Sequence, residues 1–213
     1  HNLRKVVKFL LATNIGEALT IIASLLIFPK GVAIITAIQI LWVNLVTDGI
    51  LDITIAMEPK EDDVMDEPPR RPETGIVDRD MVRNMIFVGV FMAAGTLWNF
   101  SVDYRANGII HAQTIAFTTL AMFQFFNALN VRSRTKSVFQ IGLFTNRWLL
   151  GAMAVSLVLQ ILANQLPILQ TALGTQPLTL SDWGRVIGVS CTVFVVDEVR
   201  KLIERRLAAR VRA

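Results

Sequence analysis

The chain has 213 residues, of which 53% are hydrophobic and 18% are charged. Soluble globular proteins are about 45–50% apolar and about 25% charged, so the composition excludes an ordinary soluble domain. The formal net charge is +4, but the basic residues flank apolar segments instead of forming one polar face, which argues against nucleic-acid binding.

Six apolar segments each have about the 20 residues that a helix needs to cross a hydrocarbon core of about 30 Å. They predict an all-α membrane protein with one transmembrane domain, residues 1–213, built as a bundle of six transmembrane helices in three hairpins. The predicted spans are approximately residues 6–28, 33–55, 81–101, 112–131, 147–166 and 183–203.

The first span is preceded by basic residues, as a signal peptide would be. Its apolar part is too long for a signal peptide and has no Ala-x-Ala-like cleavage site. The chain begins with His1 and not with methionine, so we expect it to be cut from a longer protein.

Asn14 and Glu17 interrupt the first span, three residues apart and about one turn apart on the same helix face. The adjacent Thr13 is predicted to point elsewhere and to bond back to its own helix. Pro29 and Gly31 predict a tight turn after this span, which makes the first two helices antiparallel neighbours.

The second span contains Asn44, Thr47 and Asp48, which stand at i, i+3 and i+4 and therefore share one face. Ionisable groups inside a span are rare and by default mark an ion or substrate pathway. Gly49 follows Asp48, and Gly16 precedes Glu17, so either helix could loosen there and turn carbonyls inward. We expect the second helix to be partly unwound near residues 44–49.

The longest polar stretch, the loop of residues 56–80, carries four prolines and charges of both signs. The prolines predict an extended, semi-rigid connection, which is either a simple linker or a surface that docks a further domain. Shorter connections are predicted at residues 103–111, 131–146 and 167–182.

Three further polar positions have two interpretations each. Gln124, in the fourth span, either supplies an amide oxygen to the site or bonds between helices. Asp52 either lines an approach to Asp48 or lies at the interface. Asp197, with the basic residues after it, is expected to form a structural salt-bridge cluster.

Orientation follows from the basic residues, which concentrate at both chain ends and in the second and fourth connections. The opposite side carries only Lys30, Arg105 and Arg185. Cytoplasmic loops are enriched in lysine and arginine, so both ends of the chain are predicted to be cytoplasmic.

The polar side chains inside the first two spans supply amide, carboxylate and hydroxyl oxygens, a set that suits a hard cation. Calcium accepts 6–8 such oxygens, whereas magnesium keeps its waters, and no thiolate or imidazole favours zinc or copper. Glu17 and Asp48 offset one divalent ion and would take up protons when it leaves. Asn14 or Thr47 alone could equally serve helix packing.

With these residues, the chain resembles the last six transmembrane helices of calcium-transporting P-type ATPases of the sarcoplasmic-reticulum and secretory-pathway kind and their bacterial relatives. The resemblance covers essentially the whole chain. The matching stretches are residues 12–17 (ATNIGE), 39–49 (QILWVNLVTDG), 65–70 (MDEPPR), 126–130 (FNALN) and 197–201 (DEVRK).

The resemblance implies that Ca²⁺ is the transported ion, with Mn²⁺ as the alternative, and that a bacterial plasma membrane is the location of the protein. The implied ligands are Asn14, Glu17, Asn44, Thr47 and Asp48. The two-ion pumps of the family have a glutamate where this chain has Gln124, which implies one ion per cycle.

The resemblance also implies what this chain does not contain. The phosphorylated Asp-Lys-Thr-Gly motif, the domains that use Mg-ATP and four earlier helices would lie elsewhere in the pump and act as partners of this chain, together with the lipid bilayer. No catalytic residue is therefore expected here. Two other interpretations stay open: a secondary cation/proton exchanger, which also uses carboxylates in broken helices, and a membrane scaffold that transports nothing.

Overall fold

The computed structural model describes residues 2–29, 31–59 and 77–212, which contain helices and no strand, so the all-α prediction is confirmed. The helices are α1 (Asn2–Ile27), α2 (Ala37–Trp42), α3 (Gly49–Ala56), α4 (Arg79–Asn107), α5 (Ile109–Asn130), α6 (Val138–Ile141), α7 (Arg147–Gln165), α8 (Pro167–Leu173) and α9 (Leu180–Arg212).

Five helical stretches in the described part of the chain are long and apolar enough to cross a membrane. They coincide with the first five predicted spans. The 33-residue α9 covers the sixth, but charged residues such as Arg185 and Asp197 lie along it, and its span stays a prediction. The five stretches are Asn2–Ile27, Ala37–Ala56, Arg79–Asn107, Ile109–Asn130 and Arg147–Gln165.

The connection between α1 and α2 is longer than the predicted turn. Gly31 adopts a φ of 95°, which suits glycine, but α2 begins only at Ala37. Its start is fixed by a capping box, in which the Thr36 hydroxyl accepts from the Gln39 backbone N–H at 3.3 Å. The Gln39 amide nitrogen also donates to the Leu173 carbonyl at 3.0 Å, which ties α2 to α8.

Between α2 and α3 the backbone forms a π-helical segment, Val43–Asp48, so the second span is helical from Ala37 to Ala56. The Gly49 N–H bonds the Asn44 carbonyl five residues earlier. The Ser156 hydroxyl of α7 donates to the Val46 carbonyl at 3.0 Å. The irregularity falls on the predicted residues as a wider helical turn, a feature typical of functional sites. Partial unwinding itself stays a prediction.

Helices α1 and α4 approach closely at two glycines. A methyl group at Gly89 would lie 2.6 Å from Ile15 Cγ2 and 3.1 Å from the Gly16 nitrogen, and one at Gly16 would lie 3.1 Å from Met92. A side chain at Gly89 would therefore force Ile15 to move, and one at Gly16 would require Met92 to shift by a few tenths of an ångström. The expected loosening at Gly16 is wrong, because α1 is α-helical throughout.

At one end of the bundle, α4 and α5 are joined by the single residue Gly108, whose φ is 86°. The predicted loop of residues 103–111 is wrong, because α4 continues through Asp103 to Asn107. Asp103 is 1% exposed and accepts from Arg185 of α9 at 2.6 Å. It also bonds His111 of α5, so one carboxylate links three helices.

Helix α5 is the centre of the bundle. Sixteen of its 22 residues are buried, and it contacts α1, the π-helical segment, α4, α7 and α9. Its polar side chains therefore face protein and not lipid. Asn99 of α4, for example, donates to Thr119 at 3.0 Å.

The opposite end of the bundle, here called the basic end, carries buried ion pairs. Arg132 donates from Nε to Glu58 at 2.9 Å, and Asn146 donates to the same carboxylate at 2.6 Å. The expected cluster at Asp197 is confirmed, because Arg200 lies 2.9 Å and Lys201 3.1 Å from it.

The loop of residues 56–80 lies mostly outside the described residues, because positions 60–76 are not among them. Helix α3 ends at Ala56, and α4 begins after Asp78, whose carboxylate accepts from the Met81 N–H at 2.8 Å. Partial burial raises the pKa of Asp78, but the Met81 bond and the nearby Arg4 outweigh it and hold the pKa below its usual range.

The predicted connection of residues 167–182 contains the short α8.

Replacing Gly89 should separate α1 from α4. We expect Gly89→Val to lower stability by about 1–3 kcal/mol, because overpacking a close contact exceeds the gain in helix propensity of about 0.3 kcal/mol. Thermal unfolding of the full-length protein in detergent measures the change. Gly151→Val in α7 is the control, since a methyl group there meets nothing within 4 Å. Equal melting temperatures for the two variants would contradict the close contact.

Candidate ion-binding site

The inward face of α1 carries Thr13 and Glu17. Successive residues of an α-helix are rotated by about 100°, so Thr13 lies about 40° from Glu17 on one side and Asn14 about 60° from it on the other. Thr13 is fully buried and Glu17 is 6% exposed, whereas Asn14 is exposed. The helix therefore turns Thr13, and not Asn14, towards its neighbours.

Three segments converge on the Glu17 carboxylate. The Asn44 amide nitrogen, from the π-helical segment, donates to Oε2 at 3.2 Å. The Gln124 amide nitrogen, from α5, donates to Oε1 at 3.0 Å. Asn44 also donates to the Ile40 carbonyl at 3.0 Å, which holds its side chain in place. Both Glu17 oxygens are thus held by neutral donors.

Asp48 completes the same region. It is 3% exposed and lies within electrostatic range of Glu17. Its Oδ2 accepts from the Thr13 hydroxyl at 3.2 Å, so α1 contacts the π-helical segment at this second point too. The two carboxylates that the sequence singles out are therefore buried together between α1 and the π-helical segment.

Two oxygens of the site are buried without a hydrogen-bond partner, Asp48 Oδ1 and Gln124 Oε1. An unsatisfied buried polar atom costs about 1–3 kcal/mol, and more when it is charged. A bound cation would satisfy both oxygens. Rotation of the Asn44 and Gln124 amides would also replace their nitrogens by oxygens, so the same residues could hold either a proton on Glu17 or a metal ion.

Glu17 and Asp48 differ from the other buried acids of the described residues in the side chains that they contact. Asp103, Glu58 and Asp197 each contact an arginine within 3 Å. Glu17 and Asp48 contact amides and a hydroxyl, and no cationic side chain among the described residues forms an ion pair with either. Two carboxyl groups buried near each other without a cationic partner can be neutralised by protons or by a positive ligand.

The structure brings together four of the predicted ligands: Glu17, Asn44, Asp48 and Gln124. Thr47 is 1% exposed, but no hydrogen bond joins it to the other four in the described structure. Asn14 lies on the outer surface of α1, away from them. Asp52 is partly buried in α3 within electrostatic range of Asp48, next to the site.

Thr13 is the residue that the sequence argument placed wrongly. Its hydroxyl does bond back to the Phe9 and Leu10 carbonyls, at 3.2 and 3.0 Å, as expected. It also reaches Asp48, contrary to the prediction that it points elsewhere. The spacing of four residues between Thr13 and Glu17 was a signal for this placement, because i and i+4 share a face more closely than i and i+3.

Among residues 2–29, 31–59 and 77–212, no three or more histidine, cysteine, aspartate or glutamate side chains are grouped as a metal site. The candidate site contains two carboxylates, and its other oxygens are neutral. This composition suits calcium, which accepts amide, hydroxyl and carbonyl oxygens, and does not suit zinc or copper, which favour thiolate and imidazole.

Comparison with known families places the chain in one of them. Residues 32–203 match the family described as "Cation transporting ATPase, C-terminus". The chain belongs to this family. Five helices in its described part are long and apolar enough to cross a membrane, so it is an integral membrane protein.

Similar proteins of this family are calcium-transporting ATPases. A calcium-transporting ATPase of Bacillus subtilis is 38% identical over 193 residues, covering 89% of this chain and 21% of the relative. "Calcium-transporting ATPase type 2C member 1" of Homo sapiens is 36% identical over 208 residues, 96% of this chain and 22% of the relative. "Calcium-transporting ATPase 1" of Bacillus cereus is 34% identical over 222 residues, 96% of this chain and 25% of the relative. The chain thus spans a quarter or less of these relatives.

Removing the Thr13 hydroxyl should weaken cation binding. We expect Thr13→Val to lower the apparent affinity of the full-length ATPase for its cation about fivefold, because the Asp48 carboxylate loses a donor worth about 1 kcal/mol. Cation-stimulated ATP hydrolysis measures the affinity. Thr20→Val is the matched control, since Thr20 is buried on α1 but donates to the Gly16 carbonyl. An unchanged affinity in Thr13→Val would contradict the role of this contact.

Proposed function

We propose that this chain is the ion-binding transmembrane part of an ATP-driven pump that exports Ca²⁺ from the cytoplasm, with protons carried in the opposite direction. The observation that carries the proposal is the pair Glu17 and Asp48, two buried carboxylates without a cationic partner in the described structure. The family membership and the calcium-transporting relatives support the same conclusion. They favour ATP-driven transport over secondary exchange.

The proposed ligands are Glu17, Asp48, Asn44 and Gln124, with Thr47 and Asn14 as further donors. Thr47 adds its hydroxyl from within the π-helical segment. Asn14 follows Thr13 and lies on the exposed side of α1. It takes part if segments outside this chain complete the coordination shell of the ion. Calcium takes 6–8 oxygens, more than the four clustered side chains provide in one-oxygen mode. Manganese is a second candidate ion, because it also takes oxygen ligands.

Proton countertransport follows from charge balance. When a divalent ion leaves, two carboxylates are left near each other in a low-dielectric region, and protons are the cations that can neutralise them there. Rotation of the Asn44 or Gln124 amide would turn an oxygen towards Glu17, and this oxygen could accept the proton of the carboxyl group. The basic end of the bundle is proposed to face the cytoplasm, since basic residues concentrate there. We also propose a bacterial plasma membrane as its location.

No residue of this chain is proposed to act on ATP. Hydrolysis of Mg-ATP is assigned to segments outside it, and phosphorylation there would change the access of the site from one side of the membrane to the other. The chain's own contribution is to bind the ion, exclude water and exchange protons on Glu17 and Asp48.

Neutral replacement of the two carboxylates tests the proposal. In the full-length protein reconstituted into liposomes, Glu17→Gln and Asp48→Asn should each abolish ATP-dependent ⁴⁵Ca²⁺ uptake and the matching change in internal pH. Each variant should fold, because an amide replaces the carboxyl at the same size and no buried charge loses a partner. Asp80→Asn is the control, an acid in an exposed ion pair with Arg83. Calcium uptake that persists in both site variants would refute the proposed ion site.

Stoichiometry gives an independent check. With Gln124 neutral, the site holds two negative charges, enough for one divalent ion, and we expect one Ca²⁺ bound per pump at saturation. Equilibrium dialysis of the full-length protein with ⁴⁵Ca²⁺ measures the number. Gln124→Glu adds a carboxylate 3.0 Å from Glu17 and should make calcium affinity fall more steeply as the pH is lowered. Two ions bound to the unaltered protein would contradict the one-ion site.

A further inference from the structure

A cavity of about 330 Å³ opens at the basic end of the bundle, far from the ion site along α1. It lies between the first turns of α1 and α4, the end of α5 and the later part of α9. Its polar walls come from Arg4, Lys8, Arg83, Arg134 and Arg200, with Lys5 alongside. A space of this size holds a phosphate group and a few further atoms.

The charge of the cavity is positive. Six cationic side chains line it against three carboxylates, those of Asp78, Asp80 and Glu204, which gives a net formal charge of +3. Several of the cations are already paired. Arg4 contacts Asp78, Arg134 contacts Asp80 at 3.2 Å, and Arg200 contacts Glu204 at 2.8 Å. The carboxylates therefore hold the arginines in place and leave an excess of positive charge.

Lys8 contributes one of these excess positive charges. It is partly buried on α1, and no hydrogen bond or ion pair with another described residue holds its ammonium group. Arg134, Arg200 and Lys201 all lie within electrostatic range of it, and Asp197, already paired with Arg200 and Lys201, is the carboxylate in range. Asp197 attracts the Lys8 ammonium group most strongly, and the three cations repel it, so a further anion in the cavity would be bound favourably.

The cavity continues into an apolar surface. Met81, Phe87 and Val131 line it beside the charged groups. On the adjoining face of α4, Val82 is 39% and Ile86 is 48% exposed, and both border a shallow groove next to the cavity. The cavity is positively charged, is large enough for a phosphate and lies beside exposed apolar side chains at the start of a spanning helix. These features match a phospholipid, with its headgroup in the cavity and an acyl chain along α4.

We propose that this cavity binds the phosphate headgroup of an anionic phospholipid, with Lys8, Arg134 and Arg200 around the phosphate and Val82 and Ile86 against the acyl chain. Basic pockets between helices at a membrane surface are a recognised means of binding such headgroups. The apolar groove favours a lipid over a free phosphate ion, since a free ion gains nothing from it. The site is separate from Glu17 and Asp48, and the proposal does not depend on which ion is transported.

The test uses the full-length protein in nanodiscs of phosphatidylcholine containing increasing fractions of phosphatidylglycerol, without calcium or ATP. Native mass spectrometry of the released protein counts the retained lipids. The unaltered protein should retain one phosphatidylglycerol in preference to phosphatidylcholine. Lys8→Gln and Arg134→Gln should each weaken this preference about fivefold, the effect expected for one basic residue facing an anionic lipid. Lys8→Arg should keep the preference.

The control variant is Arg147→Gln, which removes an exposed arginine at the start of α7, outside the cavity. It should leave the preference unchanged. Arg134 is exposed, so Arg134→Gln is expected to fold and provides the test if Lys8→Gln does not. An undiminished preference in Arg134→Gln and in any folded Lys8→Gln would overturn the proposal.

A second arm replaces the lipid by inorganic phosphate at millimolar concentration. Phosphate that binds with the same dependence on Lys8, while phosphatidylglycerol shows no preference, would also overturn the proposal in favour of a soluble anion site. Glu17→Gln should bind phosphatidylglycerol like the unaltered protein. Loss of transport and loss of lipid binding are therefore measured separately.

Discussion

The arrangement of the bundle depends on the burial of one carboxylate, that of Glu17. An isolated charge in a low-dielectric interior is costly, and it is tolerated when each of its oxygens has a donor. The two donors come from different parts of the chain, Asn44 in the π-helical segment and Gln124 in α5. Because both donors must reach Glu17, these hydrogen bonds fix the positions of α1, the π-helical segment and α5 along their axes relative to one another.

The close contact of α1 with α4 supports the same geometry from the other side. Gly89 leaves room for the Ile15 side chain and the Gly16 backbone, and Gly16, one residue before Glu17, leaves room for Met92. The pair of glycines therefore fixes how far α1 lies from the core, and the hydrogen bonds of Glu17 fix how it is rotated. The ion site is a product of helix packing as much as of its own polar residues.

Much of the candidate ion site could be predicted from the sequence, because the free-energy cost of burying a carboxylate does not depend on the details of packing. Glu17 and Asp48 were predicted on that ground, and both are buried together. The choice between Thr13 and Asn14 could not be predicted securely, since α1 is apolar on nearly all sides and carries no polar stripe that marks its outer face. The sequence analysis paired Glu17 with Asn14, three residues earlier, whereas in the structure Thr13, four residues earlier, faces the same side as Glu17.

Other differences have physical causes that act beyond the local sequence. The connection between α4 and α5 shrinks to Gly108 because Asp103 is neutralised by Arg185, which lies 82 residues later in the chain. Nothing near Asp103 in the sequence indicates that partner. The π-helical turn at Val43–Asp48 likewise involves a contact with Ser156 of α7, a residue 110 positions from Val46. Long-range partners of this kind cannot be read from spacing.

The π-helical segment lies between two fixed points. Gln39 is held to the Leu173 carbonyl before it, and Glu58 is held by Arg132 and Asn146 after it. Both ends of the second span are therefore tied to other helices, and the wide helical turn that carries Asp48 lies between these two attachments.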